Sequence, residues 1–300
     1  YQSLKYTFTT PFALVEGLGL ASGTWMGLRS LMPGLAYRLQ DQLVRSIRKP
    51  MATSSSWDSI SGTDQSRYAE GALRAMGLTK NFAPVIIFCG HGSSTQNNAY
   101  ATALDCGACG GRHGGGNARV LAGILNDQQV RQELRKKGIV IPDTTRFVAA
   151  EHNTTTDEVT LFGDSASGAL QQISQDLAKA RLTNSIERLK QFPSSRPGSD
   201  EVQQTWLRSV DWAQVRPEWG LARNAAFIVA PRALTASLNL EGRCFLHSYD
   251  YTQDPQGTIL TTILTAPMVV AQWINAQYLF STLDNIAYGG GSKLTQNVTS

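Results

Sequence analysis

Val85-Ile86-Ile87-Phe88-Cys89-Gly90-His91-Gly92 decides how the rest of the chain is read. Pro84 precedes four β-branched or aromatic residues, and Gly90 follows close behind them. That length and composition predict a buried strand over 85–88. In sheets crossed by helices, ligands sit beyond the carboxyl ends of strands. The stretch that follows, 88–119, therefore carries most of the candidate chemistry: Cys89, His91, Cys106, Cys109 and His113.

Working outward, Arg146-Phe147-Val148-Ala149-Ala150 predicts a second strand, 158–162 a third and 226–230 a fourth. Helices are expected over 12–49 with an interruption near Pro33-Gly34, over 67–77, 118–137, 166–190 and 201–213, and after Pro267. Leu170, Ile173 and Leu177 recur at helical spacing, with Asp164 or Ser165 in position to cap. Strands alternating with helices indicate the α/β class, a mostly parallel sheet flanked by helices, with additional helical segments. Three regions follow: 1–66, a helical segment and Ser/Thr-rich linker; 67–192, an α/β region holding the Cys/His stretch; and 193–300, an α/β continuation opened by the breaker run PSSRPGSD.

Composition narrows the classes. With 42% hydrophobic and 17% charged residues the chain is not generally disordered. A net charge of +4 without a basic patch or motif gives no reason to expect a nucleic-acid partner. Four cysteines in 300 residues are not a disulfide scaffold. No basic segment leading into an apolar run opens the chain, so no signal peptide is expected, and the start at Tyr1 suggests a piece of something longer. From Pro255 to Leu283 there is no charged side chain. The threonines, Gln272, Asn275 and Gln277 make this stretch polar for lipid, so a helix that is buried or faces a partner is expected there.

The residues of 88–119 leave several chemistries open. Thiolates with imidazole select zinc and similar metals. Cys106-x-x-Cys109 could be half of a structural zinc site or a redox pair, and a thiol enzyme could use either cysteine with His91 or His113. Cys89, at the end of an apolar run, reads most simply as a small buried hydrophobe. The glycine-rich run 110–117, with Arg112 within it and Arg119 after it, would offer free N–H groups to an anion where it enters a helix, or serve only as a tight turn. Asp105 could bond a ligand residue or cap a turn, and His152 and His247 read as structural.

The strings themselves carry a resemblance. C-G-H-G-S-S-T-Q-N-N-A-Y-A-T-A-L-D-C-G-A-C-G-G with G-G-N-A-R, then 216–232, 242–250, 265–278 and 289–298, resemble the family of probable inorganic carbon transporter subunits DabA. The resemblance implies a zinc site like that of β-type carbonic anhydrases, made of two cysteines, an aspartate and a histidine. His91 and Cys106 match its later two ligands. The earlier two belong to a C-x-D motif, and this chain contains no C-x-D. Family members are also longer than 300 residues, so the chain would hold half the site. Cys109 and His113 are then supporting loop residues. The resemblance further implies Zn2+ as cofactor and hydration of CO2 to bicarbonate within an energy-coupled uptake complex. Its partner would be a DabB-like proton-translocating membrane subunit. The chain itself would be peripheral, on the cytoplasmic face of the cell inner membrane.

Overall fold

The structure is a computed structural model that describes residues 10–47, 56–97, 105, 112–163, 168–190, 192, 200–214 and 224–283. Its centre is a three-stranded sheet in the order β1-β2-β3, formed by β1 (Val85–Gly92), β2 (Arg146–Asn153) and β3 (Glu158–Phe162). β1 and β2 are parallel, with Val85 opposite Arg146 and His91 opposite His152; β3 returns antiparallel, with Phe162 opposite Ala149. The sheet is thus mixed, and the expected parallel arrangement holds for only one of its two pairings. A four-residue turn between β2 and β3 permits only an antiparallel return, whereas the parallel pair needs a helical crossover. β1 also runs four residues past Phe88. The residues Cys89 to Gly92 stay extended because β2 continues alongside them to Asn153.

The helical pattern read over 118–137 is two helices, α4 (Gly115–Asn126) and α5 (Gln128–Lys136). Asp127 divides them: its backbone is extended, and its side chain accepts from the N–H groups of Gln129 and Val130 as the cap of α5. Earlier come α1 (Thr10–Leu31), α2 (Pro33–Ile47) and α3 (Gly62–Ala75). Pro33 opens α2, where its missing N–H costs nothing.

Leu73 of α3, Ala118, Ala122 and Leu125 of α4, Val130 and Leu134 of α5, and Phe147 and Ala149 of β2 form one buried core. Phe88 stacks on Phe147 across the parallel pair, with ring centroids 5.5 Å apart. Arg131 is buried beside this core and is satisfied by backbone: its guanidinium donates to the carbonyls of Leu125, Pro142 and Thr145 and to Asn126 Oδ1.

Beyond β3 lie α6 (Gly168–Leu189) and α7 (Glu201–Val210), joined by buried Ser185 and Thr205, whose hydroxyls are 3.4 Å apart. A second, two-stranded parallel sheet pairs β4 (Ala226–Ala230) with β5 (Cys244–Ser248). β5 is a strand that the sequence reading did not assign, being five residues that follow Arg243 and carry His247 within them. α8 (Thr258–Thr265) and α9 (Pro267–Leu283) follow. The expected helix after Pro267 is present, and it buries Ala271, Ile274 and Ala276. By length and composition the stretch Thr258–Ala276 could cross a membrane. It is, however, divided between two helices at Ala266.

Candidate functional site

His91 stands one residue before the end of β1, half-buried, beside His152 of β2. Its carbonyl accepts from the N–H of Gly114 at 2.7 Å, which ties the glycine-rich turn to the strand end. Gly92 makes this approach possible. A Cβ there would stand 2.6 Å from Cγ of the His113 ring, so any larger residue would push the turn away.

His113 lies on that turn between two carboxylates. Its Nδ1 is 2.9 Å from Glu151 Oε1, and its Nε2 is 3.6 Å from Asp105 Oδ1. Glu151 also accepts from the N–H of Gly115 at 3.2 Å through its other oxygen. The anion at this helix start is therefore the protein's own carboxylate, which meets the positive end of α4. Sequence reading raised the amide cradle but missed Glu151 as its occupant. The available signal was a lone carboxylate closing the apolar run Phe147-Val148-Ala149-Ala150.

Asp105 reaches back to β1. Its Oδ1 accepts from the Ser93 N–H at 2.8 Å and from the Ser93 hydroxyl at 3.1 Å. Residue 105 is thereby held two residues past His91. Cys106 and Cys109 lie outside the described residues, so of the expected ligand pair His91 and Cys106 the structure describes His91. Among the described residues no group of three or more His, Cys, Asp or Glu is placed to hold a metal ion.

The remaining candidates separate. Cys89 is exposed, contrary to its reading as a buried hydrophobe, because strand alternation turns it away from the packed side. The surroundings of its sulfur and the nearby Glu151 carboxylate both push the thiol pKa up, which disfavours a reactive thiolate. His152 and His247, read as structural, each have a protein partner. His152 Nε2 meets Asp157 Oδ1 at 3.1 Å, and His247 Nδ1 meets the Ser248 carbonyl at 2.9 Å.

Asp157 begins the support of the strand end. Arg188 of α6, buried with it, donates to Asp157 Oδ2 at 2.6 Å and to the carbonyls of Thr154 and Thr155. The same turn grips the chain after His91: Thr155 accepts from the Ser94 N–H at 3.3 Å, and Asn153 donates to the Ser94 hydroxyl at 2.8 Å. Burial works against the charge on Asp157, but the His152 hydrogen bond and the Arg188 charge prevail and hold its carboxyl below the usual range.

The strings that carry this site have relatives. A family model described as "Probable inorganic carbon transporter subunit DabA" matches residues 1–300. A protein of that description from Legionella pneumophila (strain Lens) is 55% identical over 99% of this chain and 40% of its own length. Others are 48% identical in Salinibacter ruber, over 99% of this chain and 39% of the relative, and 45% identical in Bacillus subtilis, over 93% and 34%. The chain spans 34–40% of the length of these relatives. No solved structure matches it. With the family model matched from the first residue to the last, the chain belongs to the DabA family of probable inorganic carbon transporter subunits.

Proposed function

We propose that this chain supplies His91 and Cys106, half the ligands of a zinc centre, to an inorganic carbon transporter subunit that hydrates CO2 during uptake. The observation that carries this reading is the pair of hydrogen bonds from Ser93 to Asp105. Asp105, which precedes Cys106 in the sequence, is thereby held at the strand end that bears His91. The donor set fits the metal: an imidazole and a neighbouring thiolate are borderline and soft donors of the kind zinc selects. The other two ligands, a cysteine and an aspartate, would come from the rest of the longer protein. Bound there, zinc supplies the Lewis acidity that makes water a nucleophile near neutral pH.

The chain's own residues do the positioning. Ser93, Asn153 and Thr155 hold the segment after His91 from both sides. Glu151 takes His113 Nδ1 and the Gly115 amide together, which fixes the turn whose Gly114 holds the His91 carbonyl. Exposed polar groups such as His113 leave water a route to this end of the sheet. In the complete complex the subunit works with a DabB-like proton-translocating membrane partner, CO2 and bicarbonate being what is converted and carried. It lies peripherally on the cytoplasmic face of the inner membrane, with the uncharged helices α8 and α9 among the surfaces available to the partner.

The test is zinc stoichiometry on the purified full-length protein, beside growth rescue of a host deficient in carbon uptake. His91→Ala and Cys106→Ala should each remove most of the zinc and abolish rescue, while Cys109→Ala keeps substantially more of both. Full zinc occupancy in Cys106→Ala, or a greater loss in Cys109→Ala, would overturn the ligand assignment and favour a separate loop-stabilising metal or a thiol chemistry.

A further inference from the structure

A cavity of about 510 Å³ opens at the edge of the sheet, between α4 and the start of β2. It exists because β3 is short. β3 pairs with β2 only as far as Ala149, so among the described residues Arg146 to Val148 have no strand beside them on that side. Asn126 of α4 fills part of the gap, with its carboxamide bonded to both the N–H and the carbonyl of Phe147 at 3.0 and 2.8 Å. The rest stays open. Trp57 and Phe162 supply flat apolar walls, while Arg119 and Arg146 bring positive charge. Trp57 lies on α4 at Gly123, where no Cβ would fit.

The electrostatics of this cavity are one-sided. No carboxylate lines it among the described residues. Neither guanidinium has an ion pair or a hydrogen bond among the described residues. Arg119 lies over the Phe162 ring, 3.7 Å from its centroid. Stacking of this kind occupies the face of the guanidinium and leaves its in-plane N–H donors for a ligand. Two unneutralised arginines on one concave surface with aromatic walls are a receptor for a small oxyanion, since the guanidinium fork matches planar O–C–O geometry bidentately.

We propose that Arg119 and Arg146 form an anion site for bicarbonate, separate from the zinc ligands. Arg146 and His152 are at opposite ends of β2, roughly 20 Å apart at about 3.3 Å per residue. The Arg119 end is nearer to the reacting end: the Phe162 ring also flanks Gly115, which holds Glu151. The volume exceeds one small anion, and the surplus opens to solvent, as an exchange site requires. The proposal rests on the reaction above only for the choice of bicarbonate as the anion. Inorganic phosphate is the other source of the same chemistry.

Calorimetric titration of the full-length protein with bicarbonate, against chloride and inorganic phosphate at equal ionic strength, tests it. Bicarbonate should bind saturably and more tightly than either, and binding should survive His91→Ala, which empties the proposed metal site. Arg119→Gln and Arg146→Gln should each weaken binding by about tenfold, the loss of roughly one charge-assisted contact. Arg146 is exposed at the strand start, so its variant remains informative if Arg119→Gln disturbs the Phe162 contact. Unchanged affinity in both glutamine variants, or no bicarbonate binding to the wild-type protein, overturns the site. Binding lost in His91→Ala but retained in both arginine variants places the anion at the metal centre instead and also overturns it. Phosphate binding more tightly than bicarbonate overturns the assignment to a planar oxyanion.

Discussion

The sheet with α3, α4 and α5 and the helical pair α1–α2 spend their apolar residues in opposite ways. In the first, Leu73, Leu125 and Leu134 are fully buried, and each belongs to a helix with one apolar stripe. In the second, apolar side chains surround α1 and extend along α2 to its end, and they face outward: Phe12 is 73% exposed, Leu20 88%, Leu31 84% and Ile47 73%. A helix that is apolar all round is ordinarily a covered helix. The α/β unit therefore closes its own core, whereas α1–α2 displays surface that the described residues do not cover. α2 does touch α7: Tyr37 meets Trp206 edge-on, with centroids 6.0 Å apart.

The largest expected effect tests how firmly α6 holds the end of that sheet. Arg188→Met leaves Asp157 buried without its cation, and breaking a buried pair from one side costs about 3–5 kcal/mol. Urea unfolding measures it, and a loss under about 1 kcal/mol, the range of surface pairs, would mean that the turn at Asp157 does not lock the strand end.

The direct comparison comes next. Leu134→Ala should cost about 2–5 kcal/mol as a core truncation. Leu20→Ala should stay within about 0.5 kcal/mol in the 300-residue chain, as surface substitutions do. A much larger loss for Leu20→Ala in the longer protein would identify α1 as a face that the remaining chain covers. Equal costs for the two in the 300-residue chain would break the comparison.

A smaller effect belongs to the junction of α4 and α5. Asp127→Ala removes the cap of α5 and should cost about 1 kcal/mol. The same substitution has no reason to change zinc content or anion affinity.

The finest distinction is in pH. The Asp157 carboxyl titrates lower in the folded protein than its ordinary value near 3.9. Its contribution is therefore complete above that value and is lost as pH falls through the lower, folded value. Stability should decline below about pH 4 in the wild type and fall less steeply there in Asp157→Asn. Asparagine accepts the left-handed backbone that Asp157 adopts, with φ at 56°. Identical slopes for the two proteins would remove Asp157 from the acid response.

Local chemistry determined much of this molecule. The β-branched run at Val85–Phe88, the strands at Arg146 and Ala226, and the helix beginning near Gly168 could be read from composition and period, because burial on a sheet face or a helix stripe imposes that pattern directly. The metal-ligand expectation for His91 and Cys106 was also a matter of sequence, carried by long strings that no single spacing rule would have found. Tertiary contact decided the rest. β1 extends through Cys-Gly-His-Gly only because β2 runs beside it, and no propensity favours a strand with glycine at alternate positions. Glu151 became the partner of His113 and of the α4 amide because the crossover returns the chain to the sheet as the strand beside β1, a distance relation invisible in one dimension. Arg119 and Arg146 share a cavity because β3 ends at Phe162, where Gly163 turns away with φ at 106°, and strand length of that kind is set by what packs alongside.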